Sequence, residues 1–162
     1  RRGRHRSLMA RDVLRRKSDE VRDKPLRGAD LPEGYSQSVA GANRPPGFHS
    51  VTPRIVVADA ERQVEFLRVV FGASGEFQTG RPAEIRIGDS LIMVAPAGER
   101  EPFPAFLYIY VDDADRTYQR ALEAGALSLE EPLDTPYGDR RAMVRDPFGN
   151  VFQLAHRNAS TG

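Results

Sequence analysis

The order strand, helix, strand, strand, strand can be traced twice along this chain, and few folds accommodate such a repetition. Residues 51–58 alternate: Val51, Ile55 and Val57 fall on one face and Thr52, Arg54 and Val56 on the other, as a strand requires. Asp59 is placed to cap a helix whose apolar stripe is Val64, Leu67, Val70 and Phe71, and Gly72 is placed to end it. Short strands are expected over residues 76–79, 82–87 and 90–95, with Gly88-Asp89 as the tight turn between the last two. The pattern then restarts. A strand is expected over residues 106–111, Asp113 as the next cap, Tyr118, Leu122 and Ala124 on the helix, and Gly125 as its stop. Further strands are expected near Leu127, over 140–145 and over 150–155. A repeat with a period of about fifty residues implies two copies of one βαβββ unit that bury their apolar faces together. The fold class is therefore α+β.

The 162 residues suffice for one such pair plus an extension. Residues 1–45 form that extension and residues 46–157 the repeated domain, with modules at 46–97 and 103–157. Arg and Lys crowd the first 27 positions, while Met9, Val13, Leu14 and Val21 make a thin stripe for a helix over residues 8–24. Four apolar residues bury too little to hold a helix alone, so a solvated or partly disordered arm is the expectation. Asp12, Asp19, Glu20 and Asp23 dilute the positive charge and no aromatics interleave, so no nucleic-acid partner is expected. The chain starts at Arg1 rather than Met, and residues upstream are expected to have been removed or left out. With 24 Lys and Arg against 23 Asp and Glu, no net field steers the protein toward an anionic surface. The chain has no cysteine, which excludes disulfides, thiolate metal sites and a cysteine nucleophile and fits a reducing compartment. No apolar run approaches the ~18 residues of a membrane span. A soluble, cytoplasmic protein is expected.

Several separate motifs now agree in order and spacing: Phe48-His49-Ser50-Val51-Thr52-Pro53, Glu65-Phe66-Leu67, Phe71-Gly72-Ala73 and the run from Ala83 through Gly88-Asp89-Ser90. They are followed by Tyr137-Gly138-Asp139-Arg140 and by Asp146-Pro147-Phe148-Gly149-Asn150-Val151-Phe152-Gln153. Over residues 46–157 the chain resembles the vicinal oxygen chelate superfamily (glyoxalase/bleomycin resistance/dioxygenase), in particular its PhnB-like glyoxalase branch. The resemblance implies two half-sheets curled around a cavity, helices on the convex side, and a homodimer. It implies no single activity, because metal-dependent lyases, isomerases and dioxygenases share this fold with metal-free proteins that sequester drugs.

Alternation assigns the faces. Ile55, Val57, Ile85, Ile87, Leu91, Met93, Leu107, Ile109, Val111, Ala142, Val144, Phe152 and Leu154 suit packing on the helices. Thr52, Arg54, Glu84, Arg86, Ile92, Phe106, Tyr108, Tyr110, Arg141, Met143, Arg145, Val151 and Gln153 are expected to line the cavity. Metal-dependent relatives draw their ligands from the first and last strands of each unit. Carried onto this chain, those positions are Thr52, Ile92, Phe106 and Gln153. Such a set lacks the imidazoles and carboxylates that divalent ions require, so no metal and no cofactor are expected. Many relatives of the branch carry a His where this chain has Pro82; His49 and His156 are read as surface or hinge residues.

The ligand-binding set expected on the cavity face is Arg54, Glu84, Arg86, Phe106, Tyr108, Tyr110, Arg141, Met143 and Gln153. The three aromatics make a flat wall, the two tyrosine hydroxyls can orient a ligand, and the arginines can fork onto an anionic or carbonyl group. Glu84 is the candidate general base. Asp146-Pro147-Phe148-Gly149 has the chemistry of a turn, and Tyr137 or Arg140 could touch ligand from the next one. Three functions fit: a binding protein for a small aromatic, carbonyl or anionic molecule, a metal-independent lyase or isomerase using Glu84 with cavity Tyr and Arg, and a non-catalytic dimerisation module.

Overall fold

The structure is a computed structural model that describes residues 44–99 and 101–158; the helix expected over residues 8–24 lies outside the described residues. Both modules are visible in the topology. The first contains β1 (Arg54–Val57), α1 (Ala60–Phe71), β2 (Ala83–Ile87) and β3 (Ser90–Pro96). The second contains β4 (Phe106–Tyr110), α2 (Ala114–Glu123), β5 (Leu127–Asp134), β6 (Asp139–Arg145) and β7 (Val151–Arg157). Their strand orders are β1-β3-β2 and β4-β7-β6-β5, in two separate sheets. In each, the first strand lies parallel to the last, and the last is antiparallel to the one before it. The repeat is thus one of connectivity.

The helix ends follow local chemistry. Asp59 and Asp113 have extended backbone and accept bonds from the amides of Arg62 (3.0 Å) and Arg116 (2.9 Å), each satisfying a donor the helix cannot. Gly72 closes α1 at φ 63°, a conformation that strains any residue with a Cβ. The cap of α2 falls on Ala124, one residue before the expected stop, and Gly125 takes the positive φ of 92° instead.

Helix α1 holds the modules together. Its Phe66 and Phe71 rings lie 6.3 and 5.4 Å from Phe152 of β7, so one apolar core spans both units. A buried polar latch crosses the same boundary. Asn150 donates to Gln63 of α1 and to Asp146, both at 2.8 Å, and its own carbonyl accepts from the Ala105 amide at 3.0 Å. Asp146 in turn accepts from the Phe148 and Asn150 amides, which fixes Asp146-Pro147-Phe148-Gly149 as the expected turn.

Three expectations need correction. β1 begins at Arg54, so Val51 and Thr52 precede it, and Val51 is 81% exposed. Residues 76–79 form no strand; a single bridge between Ser74 and Arg86 stands in its place. The faces of β3 are also the reverse of those expected. Ile92 and Val94 are opposite the core residues Ile85 and Ile55, whereas Leu91 and Met93 share the other face with Arg86, Glu84 and Arg54. As the central strand of its sheet, β3 is apolar on both sides and its sequence carries no alternation to read.

Candidate functional site

Opposite the helices, the two sheets present an open face. Register arranges its side chains in rows across the strands. One row in the first sheet is Arg54, Met93 and Glu84. In the second sheet, Tyr108, Gln153, Met143 and Glu130 form the matching row, flanked by Phe106, Val151, Arg145 and Leu127 on one side and by Tyr110, Ala155, Arg141 and Leu133 on the other. The structure therefore brings Phe106, Tyr108, Tyr110, Arg141, Met143 and Gln153 onto one surface, and Arg54, Glu84 and Arg86 onto another.

The aromatic wall forms as expected but is anchored by a residue that reading the sequence did not single out. Phe106 and Tyr110 are each 62% exposed, and the Tyr108 and Tyr110 rings are 5.3 Å apart. Both phenols donate to Asp139 Oδ2, at 3.0 and 3.1 Å. Asp139 is buried, and the Thr135 hydroxyl accepts its amide and donates to its carbonyl, both at 2.9 Å. Arg157 sits 3.2 Å from Asp139 Oδ1 and donates to the Tyr137 carbonyl. Burial first, and then the Asp139 carboxylate, push the Tyr108 phenol above its ordinary pKa. The proton of each phenol is thus committed inward. What both hydroxyls offer a ligand is their oxygen lone pairs.

The arginines divide. Arg141 donates from Nη2 to both Glu130 oxygens at 2.8 Å and from Nη1 to the Tyr137 hydroxyl at 2.9 Å, and the Glu130 bonds raise its already high pKa. Arg140 points to the helix side, where Asp115 accepts two bonds at 2.8 and 2.9 Å and is held below the usual carboxylate range. Arg140 thus lies off the open face, its side chain alternating away from Arg141. Arg86 donates to the main-chain carbonyls of Asp89 and Gly47. Arg54 and Glu84 are exposed, and neither has an ion pair or side-chain hydrogen bond among the described residues.

The reversal of β3 also shifts one of the positions at which metal-dependent relatives hold their ion. Ile92 is buried in the core, and Met93 stands where Gln153 stands in the other module. The set becomes Thr52, Met93, Phe106 and Gln153: a hydroxyl, a thioether, a phenyl ring and an amide. It does not fit a divalent ion. Among the described residues no three His, Cys, Asp or Glu side chains gather into a metal site elsewhere. His49 is exposed, whereas His156 is half-buried and its Nδ1 accepts the Ala114 amide at 2.9 Å, making it a helix cap rather than a surface residue. Among the described residues no helix is long and apolar enough to cross a membrane.

The sequence profile of the Glyoxalase/Bleomycin resistance protein/Dioxygenase superfamily matches residues 47–154, more than half of the chain. The chain belongs to that superfamily. Solved glyoxalase-fold structures agree. TioX from Micromonospora sp. ML1 superposes with a TM-score of 0.58 at 24% identity over 66% of this chain and 97% of its own. A glyoxalase/bleomycin resistance protein/dioxygenase family enzyme from Burkholderia phytofirmans PsJN gives 0.57 at 22% identity, over 64% and 94%. In sequence, the uncharacterized protein Mb0911c of Mycobacterium bovis is 29% identical over 123 residues, 65% of this chain and 81% of that one. The putative glyoxylase CFP32 of the same organism is 42% identical over 48 residues, 30% of this chain and 18% of its own length. The two solved structures share the fold of this chain.

Proposed function

We propose that this protein binds a flat organic molecule on its open face without a metal ion, and that a second copy of the chain covers that face. The observation that carries this is the exposed wall of Phe106, Tyr108 and Tyr110, whose two phenols are tied to Asp139. A large apolar surface held rigid costs little entropy when a ring stacks on it. Each phenol turns an acceptor outward, so donors on the ligand are met in the second sheet. Arg54 and Arg86 in the first sheet supply the cationic side for a carbonyl or anionic group. The donor set of Thr52, Met93, Phe106 and Gln153 supports the metal-independent part of this reading.

A thermal-shift screen of planar aromatic acids and amines, run with and without a chelator, tests it. A ligand present at 100 times its Kd should stabilise the native state by about 2.7 kcal/mol. The expected result is stabilisation that survives chelator and is lost in Phe106→Ala. Stabilisation that disappears with chelator would overturn the metal-independent reading. A monomer in sedimentation at every concentration would overturn the covered face.

A further inference from the structure

The main chain of β4 has a site of its own. Leu107, Tyr108, Ile109 and Tyr110 all line one cavity of about 270 Å³, which Asp89 and Ser90 at the turn between β2 and β3 also line. Successive strand side chains point to opposite faces, so a cavity touched by four residues in a row runs along the edge of the strand. Register shows which backbone groups face it. The Val151 amide donates to the Ala105 carbonyl and the Val111 amide to the Ala155 carbonyl. In a parallel ladder that spacing gives the odd-numbered residues of β4 to β7 and turns the amides and carbonyls of Phe106, Tyr108 and Tyr110 to the free edge. Among the described residues nothing hydrogen-bonds them there. The outer edge of β1 differs, because the Phe103 amide bonds the Val56 carbonyl and covers it.

Tyr108 therefore offers one donor and one acceptor side by side, the pair that an opposing residue satisfies in an antiparallel ladder. Backbone groups left without a protein partner in an apolar cleft favour a ligand that completes them. The cavity is near the lower end of ligand sites, roughly 300 Å³, which suits a molecule of about one amino-acid residue. Leu107, Ile109 and buried Ile92 make it largely apolar, and the Asp89 carboxylate, which accepts from the Ser90 hydroxyl at 2.9 Å, disfavours a second anion. We propose that this seam binds a small neutral or cationic molecule carrying a secondary amide, held by the N–H and C=O of Tyr108. The site uses backbone where the open face uses side chains, so it does not rest on the function proposed above.

The test is an amide-resolved NMR experiment on the full chain with N-acetyl-leucinamide as probe, compared with its analogue methylated on the leucine nitrogen and with N-acetyl-leucine. In free protein the Tyr108 amide should exchange with solvent at least about tenfold faster than those of Leu107 and Ile109. Added probe should shift the Tyr108 amide saturably. The N-methyl analogue, which has lost the donor, should bind at least about fivefold more weakly, and the carboxylate more weakly as well. Equal protection of Tyr108 and its neighbours in free protein, an unmoved Tyr108 amide, or equal affinity for the methylated analogue would each overturn the proposal.

Discussion

The two modules share one connectivity but only the second completes it. β5 is an eight-residue strand, tied down by the Tyr118 hydroxyl bond to Ser128 at 2.8 Å and by the Glu130–Arg141 ion pair at 2.8 Å. Its counterpart in the first module is reduced to the Ser74–Arg86 bridge. The intervening sequence explains the difference. Gly75, Gly80 and Pro82 interrupt the run, and Gly75 passes so close to β2 that a Cβ there would stand 2.3 Å from the Glu84 carbonyl oxygen. A three-stranded sheet with a charged open face thus sits beside a four-stranded sheet with an aromatic one. An edge strand can shrink to a bridge while the repeat persists, provided that the strands packed on the helices remain.

What joins these unequal halves should be the costliest thing to remove. Asn150→Ala strips partners from Gln63, Asp146 and the Ala105 amide at once, and each buried polar group left unpaired costs about 1 kcal/mol or more. Equilibrium denaturation should show a loss of about 3 kcal/mol. A loss below about 1 kcal/mol would mean that water replaces the latch and that the apolar contacts of Phe152 alone hold the modules together.

The next effect sharpens the contrast between the two edges. Gly75→Ala combines a φ of 115° with a backbone clash, whereas Gly80→Ala at φ 88° has open space around it. Left-handed strain alone costs about 1 kcal/mol, so Gly80→Ala should lose roughly that much and Gly75→Ala at least about 2 kcal/mol. Equal losses measured by chemical denaturation would show that the first module's edge can move away from β2. The truncated strand would then be a pliable segment instead of a wedged one.

How much of this was legible follows from which residues carry a local signal. Asp59, Gly72 and Asp113 were readable because caps act within a turn of themselves, and the repeat was readable because the caps recur. β3 was not, since Leu91 through Ala95 is apolar on both faces and gives parity nothing to work on. The aromatic wall was legible from alternation alone. Asp139 was hidden inside a turn motif, although it shares parity with Arg141 and Met143 and so could have been placed on the open face. Gln63 gave no sign at all, and Asn150 none beyond its place in the C-terminal motif, because their pairing is a bond between residues from two different modules.

The smallest effect tests whether Asp139 gives the second module a property that the first lacks. Tyr108 occupies the position in its row that Arg54 occupies in the other sheet, and only Tyr108 has a buried carboxylate as partner. Burial and Asp139 raise its pKa in the folded state. A raised pKa means that the folded protein keeps the phenol proton while the unfolded chain, with an ordinary value near 10, loses it. Its contribution to stability is therefore complete below about pH 10 and declines as pH rises through the folded value. Tyr108 is 39% exposed, so screening keeps the decline below about 1 kcal/mol between pH 9 and 11. Denaturation curves should show this slope in the parent chain, a shallower one in Tyr108→Phe, and no change in Arg54→Ala, whose guanidinium does not titrate there. Asp139→Asn should bring ionisation of the phenol, followed by its absorbance near 295 nm, to lower pH. If it does not, the carboxylate does not hold the proton inward, and Tyr108 is free to donate to a ligand.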